Sequence, residues 1–134
     1  MSQILVDTSA WVEMFRKKDS PEVQKLGEWM RAGLVCVSGL ILAEILSGAK
    51  SPKEYIRLED SFSAFYYLQD PPSLWQRVAR YRFRLAKRGF QASIADLIVA
   101  TTASYHRRHL FTLDHAFRDI AKVIPLKLLE LARH

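Results

Sequence analysis

Four acids, Asp7, Glu44, Asp96 and Asp114, have the residue type and the setting for chemistry. Asp7 closes an apolar run at residues 3–6, and Asp114 closes another at 110–113. Glu44 and Asp96 stand inside segments whose neighbours are almost all apolar. A helix that is apolar all round normally packs inside, and a buried carboxylate is costly unless it is paired, hydrogen-bonded or bound to a cation. Each acid also has a plainer role. Asp7 and Asp114 suit caps for the helices that follow, Asp96 suits a capping-box partner for Ser93, and Glu44 suits a wet helix edge or an arginine partner. If one sheet edge gathers all four, their mutual repulsion forces protons onto some of them, and a hard divalent cation removes the conflict. Oxygen-only donors suit Mg²⁺ or Mn²⁺ over zinc. The single cysteine, Cys36, and the four histidines, His106, His109, His115 and His134, offer no competing metal spacing.

The elements that must position these acids are legible from periodicity and caps. Residues 3–6 and 34–37 read as buried strands, 65–68 as a short third strand, and 110–113 and 126–129 as two more. Ser20-Pro21 and Ser51-Pro52 pair an N-cap with a proline at the first helical position, which opens helices to about Arg31 and Phe62. Ser38 is expected to cap the helix carrying Glu44. Ser73 is expected to start a long helix ending at Gly89, and Ser93 to start the helix carrying Asp96. A short helix is expected over 116–120. Strands alternating with helices predict an α/β fold with a mainly parallel sheet. On such a sheet, Asp7 and Asp114 fall on the carboxyl edge, where ligand sites form.

With 134 residues, the chain fits one domain spanning residues 1–134. Its hydrophobic fraction of 49% and its aromatics argue against disorder. The purest apolar runs are too short for a membrane span, and an acid at position 7 interrupts a secretory layout, so a cytoplasmic setting is expected. The net charge of +6 is concentrated: Arg77, Arg80, Arg82, Arg84, Lys87, Arg88, Arg107 and Arg108 are interrupted by Asp96 alone. That density attracts polyanions, nucleic acid first among them, although a solvated basic face would read the same way. An acidic cation site beside an arginine-rich surface fits phosphodiester hydrolysis. On the long helix, Leu74, Val78, Tyr81 and Leu85 share one face, and Arg82 projects from among them. Arg82 is therefore either a side chain snorkelling from the core edge or a phosphate-holding group near the acids.

Four blocks resemble the motifs of PIN-domain ribonucleases, especially the VapC toxins of type II toxin–antitoxin pairs. They are Ile4-Leu5-Val6-Asp7-Thr8-Ser9, Val37–Gly48 around Glu44, Ser93–Ala103 around Asp96, and Leu110–Phe117 with Thr112-Leu113-Asp114. The resemblance implies a three-layer α/β/α PIN-like domain with Asp7, Glu44, Asp96 and Asp114 around Mg²⁺ or Mn²⁺. It also implies an endoribonuclease acting on RNA, a cognate antitoxin that blocks the site, and a homodimer. Thr8, Ser9 and Thr112 match small hydroxyl positions that orient carboxylates or water, or that cap helices and strand ends. Asp119 stands as a substitute for Asp114. The implied mechanism is in-line attack of a metal-activated water on an RNA phosphodiester, leaving 5′-phosphate and 3′-hydroxyl ends, with Glu44 or Asp114 taking the water's proton. Trp11 and Phe15, four apart on one helix, offer a groove for an antitoxin segment or a contact with a second copy.

The competing reading from another class is a non-catalytic RNA-binding or interaction module with the same fold. A phosphotransfer domain with Asp7 as nucleophile, as in haloacid-dehalogenase phosphatases, needs a second Asp two residues on, where Ser9 stands.

Overall fold

A computed structural model of the chain describes residues 3–17 and 19–131. Short strands run β1 (Ile4–Val6), β2 (Val35–Ser38), β3 (Tyr66–Leu68), β4 (His109–Phe111) and β5 (Lys127–Leu128). Between them lie α1 (Thr8–Phe15), α2 (Pro21–Arg31), α3 (Gly39–Ser47), α4 (Pro52–Phe62), α5 (Leu74–Lys87), α6 (Ile94–Tyr105) and α7 (Ala116–Ile120). All five strands pair in parallel in the order β3-β2-β1-β4-β5, with helices flanking the sheet in a three-layer α/β/α arrangement.

Leu5 sits opposite Cys36 on one side and Leu110 on the other, so β1 is the central strand and its residues 4–6 are all buried. A near-continuous apolar run is what a strand covered on both faces requires. From β1 the chain winds outward through β2 to β3, then crosses back to β4 on the far side. The winding therefore reverses between β1 and β4, and the carboxyl ends of strands at such a switch point form a crevice. Asp7 leaves one side of that crevice and Thr112 to Asp114 leave the other.

Local chemistry sets the helix starts. Ser20 and Ser51 each accept a hydrogen bond from the backbone N–H three residues on (Val23 at 3.2 Å, Glu54 at 3.1 Å), with proline following each cap. Ser73 precedes α5 as expected, but it does so in the left-handed region at φ 56° and its side chain caps nothing. Just ahead of the helix, Arg77 Nε donates to the Pro72 carbonyl at 2.8 Å. Gly89 ends α5 at φ 85°, the left-handed position that glycine adopts without steric cost. The last strand is shorter than the apolar run at 126–129 suggests, because only two of its residues pair with β4.

The core closes around buried aromatics. The Trp11 ring is 1% exposed and packs against Phe62 and Phe65 at 4.8 and 5.5 Å, while Trp29 meets Phe111 edge-on at 4.9 Å. Together they fix α1, α2 and α4 onto the sheet and hold the β1–α1 junction, from which Asp7 projects. Among the described residues, no helix is long and apolar enough to cross a membrane.

Candidate active site

Asp7 is held by side chains that come from both walls of the crevice. Its own N–H donates to the Phe111 carbonyl at 2.9 Å, which continues the β1–β4 ladder by one rung. Backbone geometry makes it the N-cap of α1, yet its carboxylate makes no capping bond. Instead Oδ2 accepts from Ser9 Oγ at 3.0 Å and from Thr112 Oγ1 at 2.8 Å. Each hydroxyl also accepts a backbone N–H, Ser9 from Leu113 and Thr112 from Asp114, both at 3.0 Å. Those N–H groups orient the two hydroxyls towards the carboxylate, and the oxygens themselves lie 3.2 Å apart. At 8% exposure, Asp7 is the one buried acid of the chain's described residues. The capping alternative for Asp7 is thereby excluded.

Glu44 projects from α3. That helix buries Ile41, Ile45 and Leu46 but leaves Ala43, Glu44 and Ser47 exposed. The apolar sequence around Glu44 left burial and a wet helix edge both open; α3 has one exposed face, and Glu44 lies on it. Thr8 Oγ1 donates to Glu44 Oε1 at 2.8 Å, tying the start of α1 to α3.

Asp96 lies in the first turn of α6, where Ser93 Oγ accepts its N–H at 3.0 Å. The capping role is therefore real, but it does not describe the whole residue. Its carboxyl pKa is raised above the ordinary 3.8, first by burial, with Asp114, Asp7 and Glu44 adding like-charge repulsion and the Ser93 hydroxyl opposing. The other three acids are thus within electrostatic reach of Asp96. Asp114 is exposed at the far wall and its Oδ1 accepts the Ala116 N–H at 2.9 Å. Asp119, the alternative to it, is paired with Lys122 at 3.0 Å and is not among the acids acting on Asp96.

Among the described residues, none of the four acids forms an ion pair with a lysine or arginine. The ion pairs among the described residues are Lys25–Glu28, Arg118–Glu130 and Lys122–Asp119. Equally, no three acids, histidines or cysteines among the described residues close into a ready-made ion cage. That combination fits Mg²⁺ or Mn²⁺, since Mg²⁺ keeps several waters and takes one or two carboxylates together with substrate phosphate. His106 Nε2 is engaged by the Gln69 carbonyl at 2.7 Å, and His134 lies outside the described residues. Arg82, exposed, donates from Nε to the Ala92 carbonyl at 3.2 Å, one residue before the Ser93 cap, and makes no ion pair with the four acids.

Two features escaped the sequence. Ser38 does precede α3 as its N-cap residue, but its hydroxyl makes no capping bond and is buried without a partner at the carboxyl end of β2. Its position on the same strand edge as Asp7 was the available signal. A cleft of about 440 Å³ also opens beside Thr112 and Asp114, lined by His115, Arg118, Glu13 and Glu130. It depends on how the β4 and β5 ends diverge, which no local pattern records.

A family model described as the PIN domain matches residues 4–123. The chain is 33% identical over 129 residues to the VapC ribonuclease Mb1587 of Mycobacterium bovis, covering 92% of this chain and 96% of that protein. The same figures hold for ribonuclease VapC11 of Mycobacterium tuberculosis. Among solved structures, the fold is similar to VapBC-1 from nontypeable Haemophilus influenzae, with a TM-score of 0.76 at 18% identity, covering 95% of this chain and 96% of that one. It is also similar to VapBC2 from Rickettsia felis bound to a DNA fragment from their promoter, with a TM-score of 0.74 at 18% identity over 96% and 98% of the two chains. A third likeness is to FitAcB from Neisseria gonorrhoeae, with a TM-score of 0.73 at 21% identity over 95% and 96%.

Proposed function

The chain belongs to the PIN-domain family, and on that premise we propose that it is a Mg²⁺- or Mn²⁺-dependent endoribonuclease, the toxin of a toxin–antitoxin pair. One observation carries the reading: Asp7 and Asp114 follow the paired strands β1 and β4 at the sheet's switch point, and Asp7, Glu44 and Asp114 all act on the carboxyl of Asp96, with no ion pair to any of the four among the described residues. Relatives named as ribonucleases, and structural neighbours that are VapBC complexes, support the substrate class and the partner.

Asp7 and Asp96 would hold the cation, which when bound supplies neutralising charge at the phosphate and favours ionisation of a water. The protein's own groups do the rest. Ser9 and Thr112 occupy Oδ2 of Asp7, which leaves Oδ1 without a partner among the described residues and fixes the direction in which it points. Glu44 and Asp114 each keep one carboxylate oxygen unbonded in the same sense, and both are exposed, so they are placed to take the proton of the attacking water. Attack in line with the leaving oxygen leaves a 5′-phosphate and a 3′-hydroxyl.

The antitoxin has a surface to occupy. A groove of about 760 Å³ runs between α1 and the α3–α4 corner, with Met14, Phe15 and Leu58 along it and Arg16, Lys50 and Arg57 around it. Phe15 lines this groove, whereas Trp11 is buried beneath it. An amphipathic segment with acidic flanks fits that combination. The homodimer rests on family likeness, and light scattering of the purified chain decides it. The whole reading is tested by incubating the protein with an RNA pool in Mg²⁺, Mn²⁺ or EDTA and mapping the ends. The expected result is cation-dependent cleavage with 5′-phosphate ends. Tight RNA binding without cleavage of any substrate would instead establish the non-catalytic module.

A further inference from the structure

Helix α5 presents two apolar faces, and the fold uses one. Leu74, Val78 and Leu85 are buried, on a helix that packs against α6. The opposite side carries Trp75 and Phe83, 65% and 63% exposed, with Ala79 and Ala86 between and beyond them. Phe90 and Ile94 continue this surface from the segment that leads into α6. An open groove of about 540 Å³ lies there, lined by Arg82, Phe83, Phe90 and Ile94 over the two alanines.

Cations sit on these rings. Lys87 Nζ stands 5.2 Å from the Phe83 ring centroid, and Lys122 Nζ stands 4.6 Å from that of Phe90. Arg82 is braced on the Ala92 carbonyl at 3.2 Å, and Arg88 on the Lys122 carbonyl at 3.0 Å. No acid occurs between Asp70 and Asp96, a span holding Arg77, Arg80, Arg82, Arg84, Lys87 and Arg88.

An exposed apolar face usually marks a protein contact, and a second copy is the simplest partner. A two-fold contact sets the same patch on both sides, however, so it would bring this uncompensated cationic set against itself. A single-stranded polyanion resolves both features: bases stack on aromatic faces while phosphates meet Lys and Arg. Ile94, which lines the groove, and Asp96 share the first turn of α6, so the groove lies at the same helix start as that acid, although the two side chains leave about 200° apart round the helix.

We propose that the groove between α5 and the segment entering α6 is a nucleobase subsite for single-stranded RNA. Phe83 and Phe90 serve as its stacking faces, and Arg82 and Lys87 as its phosphate contacts. The subsite rests on the ribonuclease reading for its role in cleavage but not for its existence. Binding of a fluorescein-labelled oligouridine to Asp96→Asn protein in EDTA measures it without turnover. Phe83→Ala in that background is expected to weaken binding about tenfold with an unchanged salt slope, and Phe83→Trp to restore it. Lys87→Gln is expected to lower the salt slope by about one. Iodouridine in the same RNA should crosslink to Phe83.

Wild-type-like affinity of Phe83→Ala would overturn the subsite. So would a dimer by light scattering that Phe83→Ala converts to monomer, which would make the groove a contact between copies. Phe83-dependent binding by a protein that cleaves nothing would remove the catalytic reading and leave the subsite standing. Cleavage and binding both indifferent to Phe83 would remove the subsite alone.

Discussion

Replacing Thr112 with valine tests whether the crevice works by holding Asp7 still. Valine keeps the shape of threonine and deletes its hydroxyl. The lost interactions are the 2.8 Å bond to Asp7 Oδ2 and the acceptor for the Asp114 N–H. A hydrogen bond to a charged group contributes about 1.5–3 kcal/mol. Here Ser9 still donates to the same oxygen, and the freed N–H belongs to an exposed residue that water can serve. The lower end is therefore expected, about 1–2 kcal/mol, which for a domain of this size lowers Tm by roughly 3–8 °C. Loss of carboxylate alignment should also reduce RNA cleavage by about tenfold, while Thr112→Ser retains most of it. Ser9→Ala should resemble Thr112→Val. The double variant should depart from additivity by about 0.5 kcal/mol or more, because both hydroxyls meet at one oxygen 3.2 Å apart. Thermal unfolding and single-turnover cleavage of all four proteins close the cycle. Additive effects, or a Thr112→Val protein with unchanged Tm and rate, would refute the hub.

Thr8→Val should cost stability only about 0.5–1 kcal/mol, since its bond to Glu44 is exposed, yet slow cleavage roughly three- to fivefold by freeing Glu44; a rate unchanged within error would remove Thr8 from the site. The raised pKa of Asp96 means that the folded, ion-free protein binds more protons than the unfolded chain just above pH 3.8. Stability in EDTA should therefore fall as pH rises from about 3.8 through the elevated value, and Asp96→Asn should lessen that fall; pH-dependent unfolding curves of the two proteins check this. Millimolar Mg²⁺ should raise the wild-type midpoint more than that of Asp96→Asn. Burial pushes the Cys36 thiol up to about 11, against an ordinary 9.0, with Arg108 opposing. A thiol reagent at pH 8 should accordingly detect no cysteine in native protein and one in guanidinium, and stability should decline as pH rises from about 9 to 11.

Most of the fold was legible because the signals were local. Proline after a serine cap marked α2 and α4 at their observed bounds, and the unbroken apolar run at Ile4–Val6 announced a strand covered on both faces. Ser73 marked the start of α5 correctly, but nothing local signalled its left-handed backbone or its unused hydroxyl. The acids were legible as types in a setting, but their partners were not. Ser9 and Thr112 lie 103 positions apart, and only the adjacency of β1 and β4 joins them at Asp7. The exposure of Glu44 matches the wet helix edge that its sequence allowed, although its apolar neighbours along α3 left burial open as well. The cationic groove on α5 drew notice through its charge alone, since the aromatic ring of Phe90 arrives from another segment.

The most direct test of the four-acid site is cleavage of one RNA pool in Mg²⁺ by wild type, Asp7→Asn and Asp96→Asn, each shown to be folded by its unfolding transition. Cleavage by the wild type that is lost in both variants and on adding EDTA is the predicted result. Cleavage that survives in either folded variant would contradict the shared acidic site and place the chemistry elsewhere.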